Sequence, residues 1–527
     1  MTLGIKTAFD PSSSRQATGA GVSRLELQLQ EAVERGVSYL LSLQAEEGYW
    51  LGELEADSTL ESDYIFYLHV LGKADPGRIA KLANYIRRKQ LPDGGWNIYP
   101  GGPAEINATV KAYFALKLAG DSVDTPHLAG ARGKIHELGG LEATNSFTRF
   151  YLALVGAVEW EMVPAIPPEL MLLPNWFYLN IYEMSSWTRG IVIPLAILYA
   201  HKPHWPLPVD ARIDELFRDP SRKTVAFDWD KKFFTWRNFF LALDRALKLY
   251  ERLPWKPLRQ RALRQASQWL LEHLERSDGL GAIYPAMMNA VFALLALGHA
   301  ADDPLTAREI GQLARFEIEE DDTLRVQPCM SPVWDTASHP VIKRAVAFLL
   351  HDQTPDGSWF GRWGVNYVYG TAGVLRALET LRLTTREYCR RGAAWLRAVQ
   401  RSDGGFGELI ASYYDPALKG KGASTPSQTA WGLIGLLAAG QDTEESIRRA
   451  AAYLVEQQNP DGSWNEQEFT GTGFPRVFYL KYHLYRIYFP LYALARYRNI
   501  LQGSSEYRSL VVQPGELERR NGNREIG

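Results

Sequence analysis

Cysteine is nearly absent from this chain. The 527 residues hold two, Cys329 and Cys389, which excludes a disulfide framework and a cysteine-rich zinc site. Net charge is almost absent too. With 58 basic against 60 acidic residues, the balance of -2 gives no global field to recruit nucleic acid. Long apolar runs are missing: the longest, residues 190–200, contains Pro194 and is too short to span a bilayer. Residues 1–21 carry no long apolar core and are rich in Ser, Thr, Gly and Ala, so they are expected to form a mobile arm rather than a signal peptide. A cytoplasmic setting follows, and it leaves room for a membrane surface.

Aromatics, by contrast, are abundant at 12%, with 16 Trp, and the apolar share of 46% is ample for more than one core. Their arrangement is repetitive. A helix with apolar residues three and four apart is followed by Gln, a tight turn and an aromatic. The copies are Tyr39-Leu40-Leu41, Gln44, Gly48-Tyr49-Trp50; Tyr85-Ile86, Gln90, Asp93-Gly94-Gly95-Trp96; and Phe348-Leu349-Leu350, Gln353, Asp356-Gly357-Ser358-Trp359. Two more are Trp395-Leu396, Gln400, Asp403-Gly404-Gly405-Phe406, and Tyr453-Leu454, Gln457, Asp461-Gly462-Ser463-Trp464. A degenerate copy runs from Trp269 to Leu280. The Asp-Gly turn supplies positive φ and stops the helix. The aromatic is expected to pack over the helix end, with the Gln amide bonding the freed backbone groups. A second helix opens on small or hydroxyl residues, as in Asn107-Ala108-Thr109, Gly370-Thr371-Ala372 and Ser427-Gln428-Thr429. The unit is therefore a helix pair with a period of roughly 45 to 60 residues, and such pairs stack into solenoids or close into α/α barrels.

The repeat logic breaks once. Trp334-Asp335-Thr336-Ala337 opens a first helix, yet Ser338-His339-Pro340 leads at once into the next one. At least one helix is absent between Ala337 and Val341.

These repeats resemble the glutamine-tryptophan repeats of triterpene cyclases, and over residues 27–498 the chain is similar to the bacterial squalene–hopene cyclases. The stretches that carry the resemblance include Tyr99-Pro100-Gly101-Gly102-Pro103, Leu152-Ala153-Leu154-Val155-Gly156 and Ser331-Pro332-Val333-Trp334-Asp335-Thr336. Trp359-Phe360-Gly361-Arg362-Trp363-Gly364 and Thr470-Gly471-Thr472-Gly473-Phe474-Pro475 complete the set. The resemblance implies an all-α fold of two α/α barrels around a central cavity. Residues 1–23 would be the arm, 24–325 the first barrel, 326–498 a second barrel with units missing at 337–341, and 499–527 a polar tail. It further implies cyclisation of squalene to hopene or hopanol in hopanoid biosynthesis, with no metal or organic cofactor. A monotopic seat on the cytoplasmic face of the membrane is implied as well, and a homodimer is compatible with it.

Protonating an unactivated alkene needs a strong acid in a dry pocket, and the cations that follow need π faces and exclusion of water. The family's acid lies in an Asp-x-Asp-Asp-Thr-Ala motif expected between the Trp334-Asp335-Thr336 stretch and Trp359. That interval holds no such motif, so initiation is expected to be impaired. Asp335 is the one acid there that the resemblance places at the cavity, and it is the candidate catalytic residue without the usual partners. Glu319-Glu320-Asp321-Asp322-Thr323 mimics the motif on a charged, solvated stretch before Trp334, and Asp228 and Asp230 read as a loop. The cation-stabilising wall carries over better: Trp187, Trp334, Trp363, Tyr369, Phe474, Phe478, Tyr482 and Tyr485 match lining aromatics, and Ile283 and Pro285 a neighbouring wall. Phe478, Tyr482 and Tyr485, spaced four and three, are expected on one helix face. No Asp-Asp-x-x-Asp metal motif occurs, which disfavours metal-dependent terpene synthases. Residues 231–248 carry Phe233, Phe234, Trp236, Phe239 and Phe240 among basic residues, as an interfacial amphipathic helix or a core-facing aromatic one would. A catalytically inactive deleted relative and a lipid-binding repeat protein are the alternatives.

Overall fold

The computed structural model describes residues 24–44, 53–177, 180–206, 212–219, 229–231, 235–275, 279–329, 349–380, 383–384, 386–440, 444–475 and 477–502. The break in the repeats, residues 331–344, lies outside them, as do Trp334 and Asp335.

Within the described residues the chain is a succession of helix pairs. The first group is α1 (Arg24–Ser42), α2 (Thr59–Val70), α3 (Pro76–Arg88), α4 (Ile106–Leu118), α5 (Pro126–Glu137) and α6 (Ser146–Leu154). Then come α7 (Ser186–His201), α8 (Trp236–Glu251), α9 (Arg259–Glu275), α10 (Tyr284–Ala296) and α11 (Pro304–Ala314). The later group is α12 (Tyr367–Thr380), α13 (Glu387–Val399), α14 (Pro426–Ala439), α15 (Glu444–Glu456) and α16 (Tyr485–Leu501). Composition explains the two layers. Helices α2, α4, α10 and α14 are apolar nearly all round and buried on almost every side. Helices α3, α9, α13 and α15 are amphipathic and bury one face each.

The first core is a closed ring. Phe66 of α2 lies 6.1 Å from Tyr151 of α6 and 5.3 Å from Phe292 of α10, and Tyr64 lies 6.3 Å from Tyr284. The second core is an arc in which α12 packs on α14, α14 on α16, and α16 on α1. Helix α1, which the sequence places in the first barrel, buries Leu29, Ala32 and Val33 in this second core. Its neighbours are set by closure of the repeat, not by distance along the chain.

The Gln–aromatic turn is the staple between pairs, and its bonds recur. Gln90 Nε2 donates to Gly94 O and His127 O, Gln353 Nε2 to Gly357 O and Tyr388 O, and Gln400 Nε2 to Gly404 O and Ser446 O, all at 2.8–2.9 Å. One carbonyl belongs to the turn and the other to the next outer helix. In the last copy the residue that does this is Gln458, not Gln457: its Nε2 reaches Gly462 O at 3.0 Å and Ala32 O of α1 at 2.9 Å. The indole N–H groups of Trp96, Trp359 and Trp464 donate to the carbonyls of Ile86, Leu349 and Leu454, capping the helix just ended. The hydroxyls of Thr109, Thr371 and Thr429 on the next inner helices accept from the backbone N–H of Trp96, Trp359 and Phe406. At Gly404 φ is +88°, and a Cβ would sit 2.5 Å from Arg449 O, so the turn needs glycine on both counts.

Two small sheets finish the fold. The hairpin β2 (Glu317–Glu320) and β3 (Thr323–Val326) straps α3, with Glu319 on Lys81 at 2.5 Å and Asp322 on Arg88. The acid-motif mimic is therefore ion-paired surface structure. Strands β1 (Leu54–Glu55), β5 (Phe478–Tyr482) and β4 (Gly471–Phe474) form the other sheet, tying the start of the first ring to the end of the second arc. Phe478 and Tyr482 thus lie on a strand, and Tyr485 begins α16. Positions 478, 480 and 482 still share one face, because a strand repeats every two residues.

Candidate functional site

Inner helices of one ring run parallel, so their N-termini gather at one end. A cavity of about 450 Å³ opens there. Its floor is the first two turns of α2 (Thr59, Leu60, Asp63), α4 (Asn107, Lys111), α6 (Phe147, Thr148, Tyr151), α7 (Trp187, Ile191) and α10 (Tyr284, Pro285). Its roof comes from the second half of the chain: Trp363, then Gly473, Val477, Phe478, Leu480 and Tyr482 of the β4–β5 hairpin, with Pro328 and Cys329 at the side.

Six of the residues expected at the site meet here: Trp187, Ile283, Pro285, Trp363, Phe478 and Tyr482. The rings of Trp187 and Trp363 are 5.7 Å apart, so one indole from each half faces the other. Tyr485 and Tyr369 stand one layer back. Tyr485 stacks on Tyr482 at 4.4 Å and 10°, and Tyr369 meets Trp431 edge-on at 4.9 Å. Tyr485 thus backs the lining ring of Tyr482. For Phe474 the strand alone is described.

The opposite end of the cavity is polar, and no motif in the sequence marks it. Asp57 accepts from Thr59 N at 2.9 Å, Glu105 caps α4 through Ala108 N, and Asn145 caps α6 through Thr148 N. Lys111 Nζ donates to Asp63 Oδ2 at 2.7 Å and lies 5.2 Å from the Tyr151 ring. Burial lifts the carboxyl of Asp57 to about 6, against its bonds to Thr59, and burial raises that of Asp63 against the pull of Lys111. Lys111 and Asp63 are 48 positions apart, and only the packing of α2 beside α4 joins them.

Such a chamber has aromatic faces for a developing cation at one end and fixed hydrogen-bonding groups at the other. Comparison with known proteins agrees with that form. The chain matches the squalene-hopene cyclase N-terminal domain over residues 33–322 and the squalene-hopene cyclase C-terminal domain over residues 259–499. The chain belongs to the squalene–hopene cyclase family. It is 33% identical to the squalene–hopene cyclase of Zymomonas mobilis, over 91% of this chain and 96% of that one. It is 34% identical to that of Alicyclobacillus acidocaldarius, over 89% and 98%. A dammaradiene synthase of the fern Dryopteris crassirhizoma is 32% identical over 92% and 96%. The Zymomonas alignment runs 643 positions, more than the 527 residues of the chain, so over a hundred positions of that relative face no residue here.

Proposed function

We propose that this member of the family is a triterpene cyclase that keeps the cation-stabilising cavity and is impaired in initiation. Its substrate class is a linear triterpene, squalene first among those to test. The observation that carries the reading is the lining: Trp187, Trp363, Phe478 and Tyr482 enclose a cavity built from both halves of a squalene–hopene cyclase chain. Impairment follows from the sequence between Thr336 and Trp359, which has no Asp-x-Asp-Asp motif, together with the alignment positions that this chain leaves empty. The carboxyls on the cavity wall are a poor substitute. Asp57 is held near 6 and Asp63 is salt-bridged, whereas protonating an alkene needs a far stronger acid.

The seat of the protein is the cytoplasmic face of a membrane. Helix α8 supports it: Trp236, Phe239 and Phe240 lie on one face, exposed by 70%, 48% and 50%, with ring centroids 5.3 to 6.1 Å apart. Arg237, Arg245 and Lys248 flank them, as on helices that lie in a lipid interface. Among the described residues no helix is long and apolar enough to cross a membrane. Incubation of vesicle-bound protein with squalene, followed by mass analysis, tests the function. Trace hopene or hopanol above a boiled control is expected, and turnover matching the Zymomonas relative run in parallel would refute impaired initiation.

A further inference from the structure

The side wall of the cavity is the short stretch that leaves β3 and brings Pro328 and Cys329 to the space between floor and roof. Two of its bonds are backbone to backbone: Gln327 N donates to Phe316 O and Tyr284 N to Pro328 O, both at 2.8 Å. Two more involve side chains, and their partners are far apart in sequence. Val326 N donates to Glu61 Oε1 at 2.9 Å, and Leu54 N donates to Gln327 Oε1 at 3.0 Å. Both side chains are buried, and neither lines the cavity. Glu61 ties the wall to α2, whose Leu60 and Asp63 belong to the floor. Leu54 belongs to β1 and pairs with Tyr482 of β5, so Gln327 ties the wall to the roof. A buried N–H left without its acceptor is costly, so each side chain is a pin that an apolar residue cannot replace. Burial keeps most of the Glu61 carboxyl protonated at neutral pH, and the acceptor is supplied without a buried charge. A cation in the chamber lasts only while water stays out and the aromatic faces stay within reach.

We propose that Glu61 and Gln327 are positioning residues that hold the side wall closed between floor and roof, keeping water from the cation site and fixing the Tyr482 ring above the floor. The inference rests on the cavity being the cation site and adds which groups outside it set its closure. Neither residue touches the substrate. They act through the backbone of Val326 and Leu54, at the two points where the wall meets the first ring and the β1–β5 sheet.

Alkylation of the full chain by iodoacetamide at pH 8, read by peptide mass, reports the opening of the wall. Cys329 sits in the wall, and Cys389, buried in the second core, is the internal reference. Gln327→Leu and Glu61→Leu should each speed the labelling of Cys329 by roughly ten- to a hundredfold and leave Cys389 unchanged. Glu61→Gln keeps a neutral acceptor and should stay close to the unmodified chain. Gln327→Leu serves alone if Glu61→Leu fails to fold. Tyr113→Phe is the control for a merely structural loss: it gives up a bond to Glu215 in the same ring, away from the wall, and should leave Cys329 unchanged. The second readout is the preference for a squalene-length tertiary ammonium over its neutral carbon isostere, which Gln327→Leu should lower several-fold. An unchanged Cys329 rate in the leucine variants, or an equal rise in Tyr113→Phe, overturns the inference and leaves the cavity reading standing. An unmodified chain that shows no preference for the cation overturns the cavity reading, and this inference with it.

Discussion

Replacing Gln458 by alanine tests the repeat staple where it joins the two ends of the chain. Its Nε2 donates to Ala32 O and Gly462 O at 2.9 and 3.0 Å, and its Oε1 accepts from Arg35 Nη2 at 2.9 Å. Two neutral bonds contribute about 1 kcal/mol each, and the half-exposed Arg35 bond somewhat less, so the loss is about 2–3 kcal/mol. That loss is local, since α1 is held by α15, α16 and this turn. It should show as faster amide exchange in α1, by roughly thirty- to a hundredfold, with little change in the first ring. Gln457→Ala is the internal control: Gln457 is exposed, and its replacement should change stability by less than about 0.5 kcal/mol. If the two variants behave alike, or if Gln457→Ala is the more damaging, the staple is misassigned.

Further outcomes follow from the same geometry. Gly404→Ala forces a side chain into φ +88° and against Arg449 O, and should cost about 1–3 kcal/mol, read as a lower melting temperature. Trp464→Phe keeps one aromatic ring but abandons Leu454 O and leaves a void at a fully buried position, and about 2–4 kcal/mol should be lost in urea unfolding. Burial raises the carboxyl of Glu61 to about 8, against its bond from Val326 N, so the folded state holds a proton that the unfolded chain releases near 4.5. That contribution to stability is complete below about 4.5 and is lost as pH climbs through 8, with a slope of up to about 1.4 kcal/mol per pH unit. Glu61→Gln should flatten that part of the stability profile, measured by urea unfolding between pH 5 and pH 9.

Much of this protein is legible in its sequence because the repeat carries its own geometry. The Asp-Gly turn, the aromatic and the Gln fix one end of each helix pair, and they recur as bonds to matching carbonyls at Gln90, Gln353 and Gln400. The tandem Gln457-Gln458 hides the register; counting six residues back from the aromatic, as the other copies do, gives Gln458. The spacing of Phe478, Tyr482 and Tyr485 fits a helix, but β5 follows the same faces with a period of two, and periodicity over so few residues does not separate the two. The polar end of the cavity left no mark because Asp63, Lys111 and Thr148 come from three helices, and no local pattern links them. Tyr485 stacks on the lining ring of Tyr482 and Tyr369 packs on Trp431, and such depth behind a wall is set by tertiary packing that no local pattern records.

We propose a cavity shaped for a carbocation in a chain whose sequence between Thr336 and Trp359 has no Asp-x-Asp-Asp motif to make one. The most direct measurement compares the dissociation constants of a squalene-length tertiary ammonium and of its neutral carbon isostere, by equilibrium dialysis on the intact protein. The faces of Trp363 and Tyr482 should favour the cation by about 1–2 kcal/mol, close to tenfold. Equal affinity, or a preference for the neutral isostere, would mean that the cation-stabilising half is lost as well.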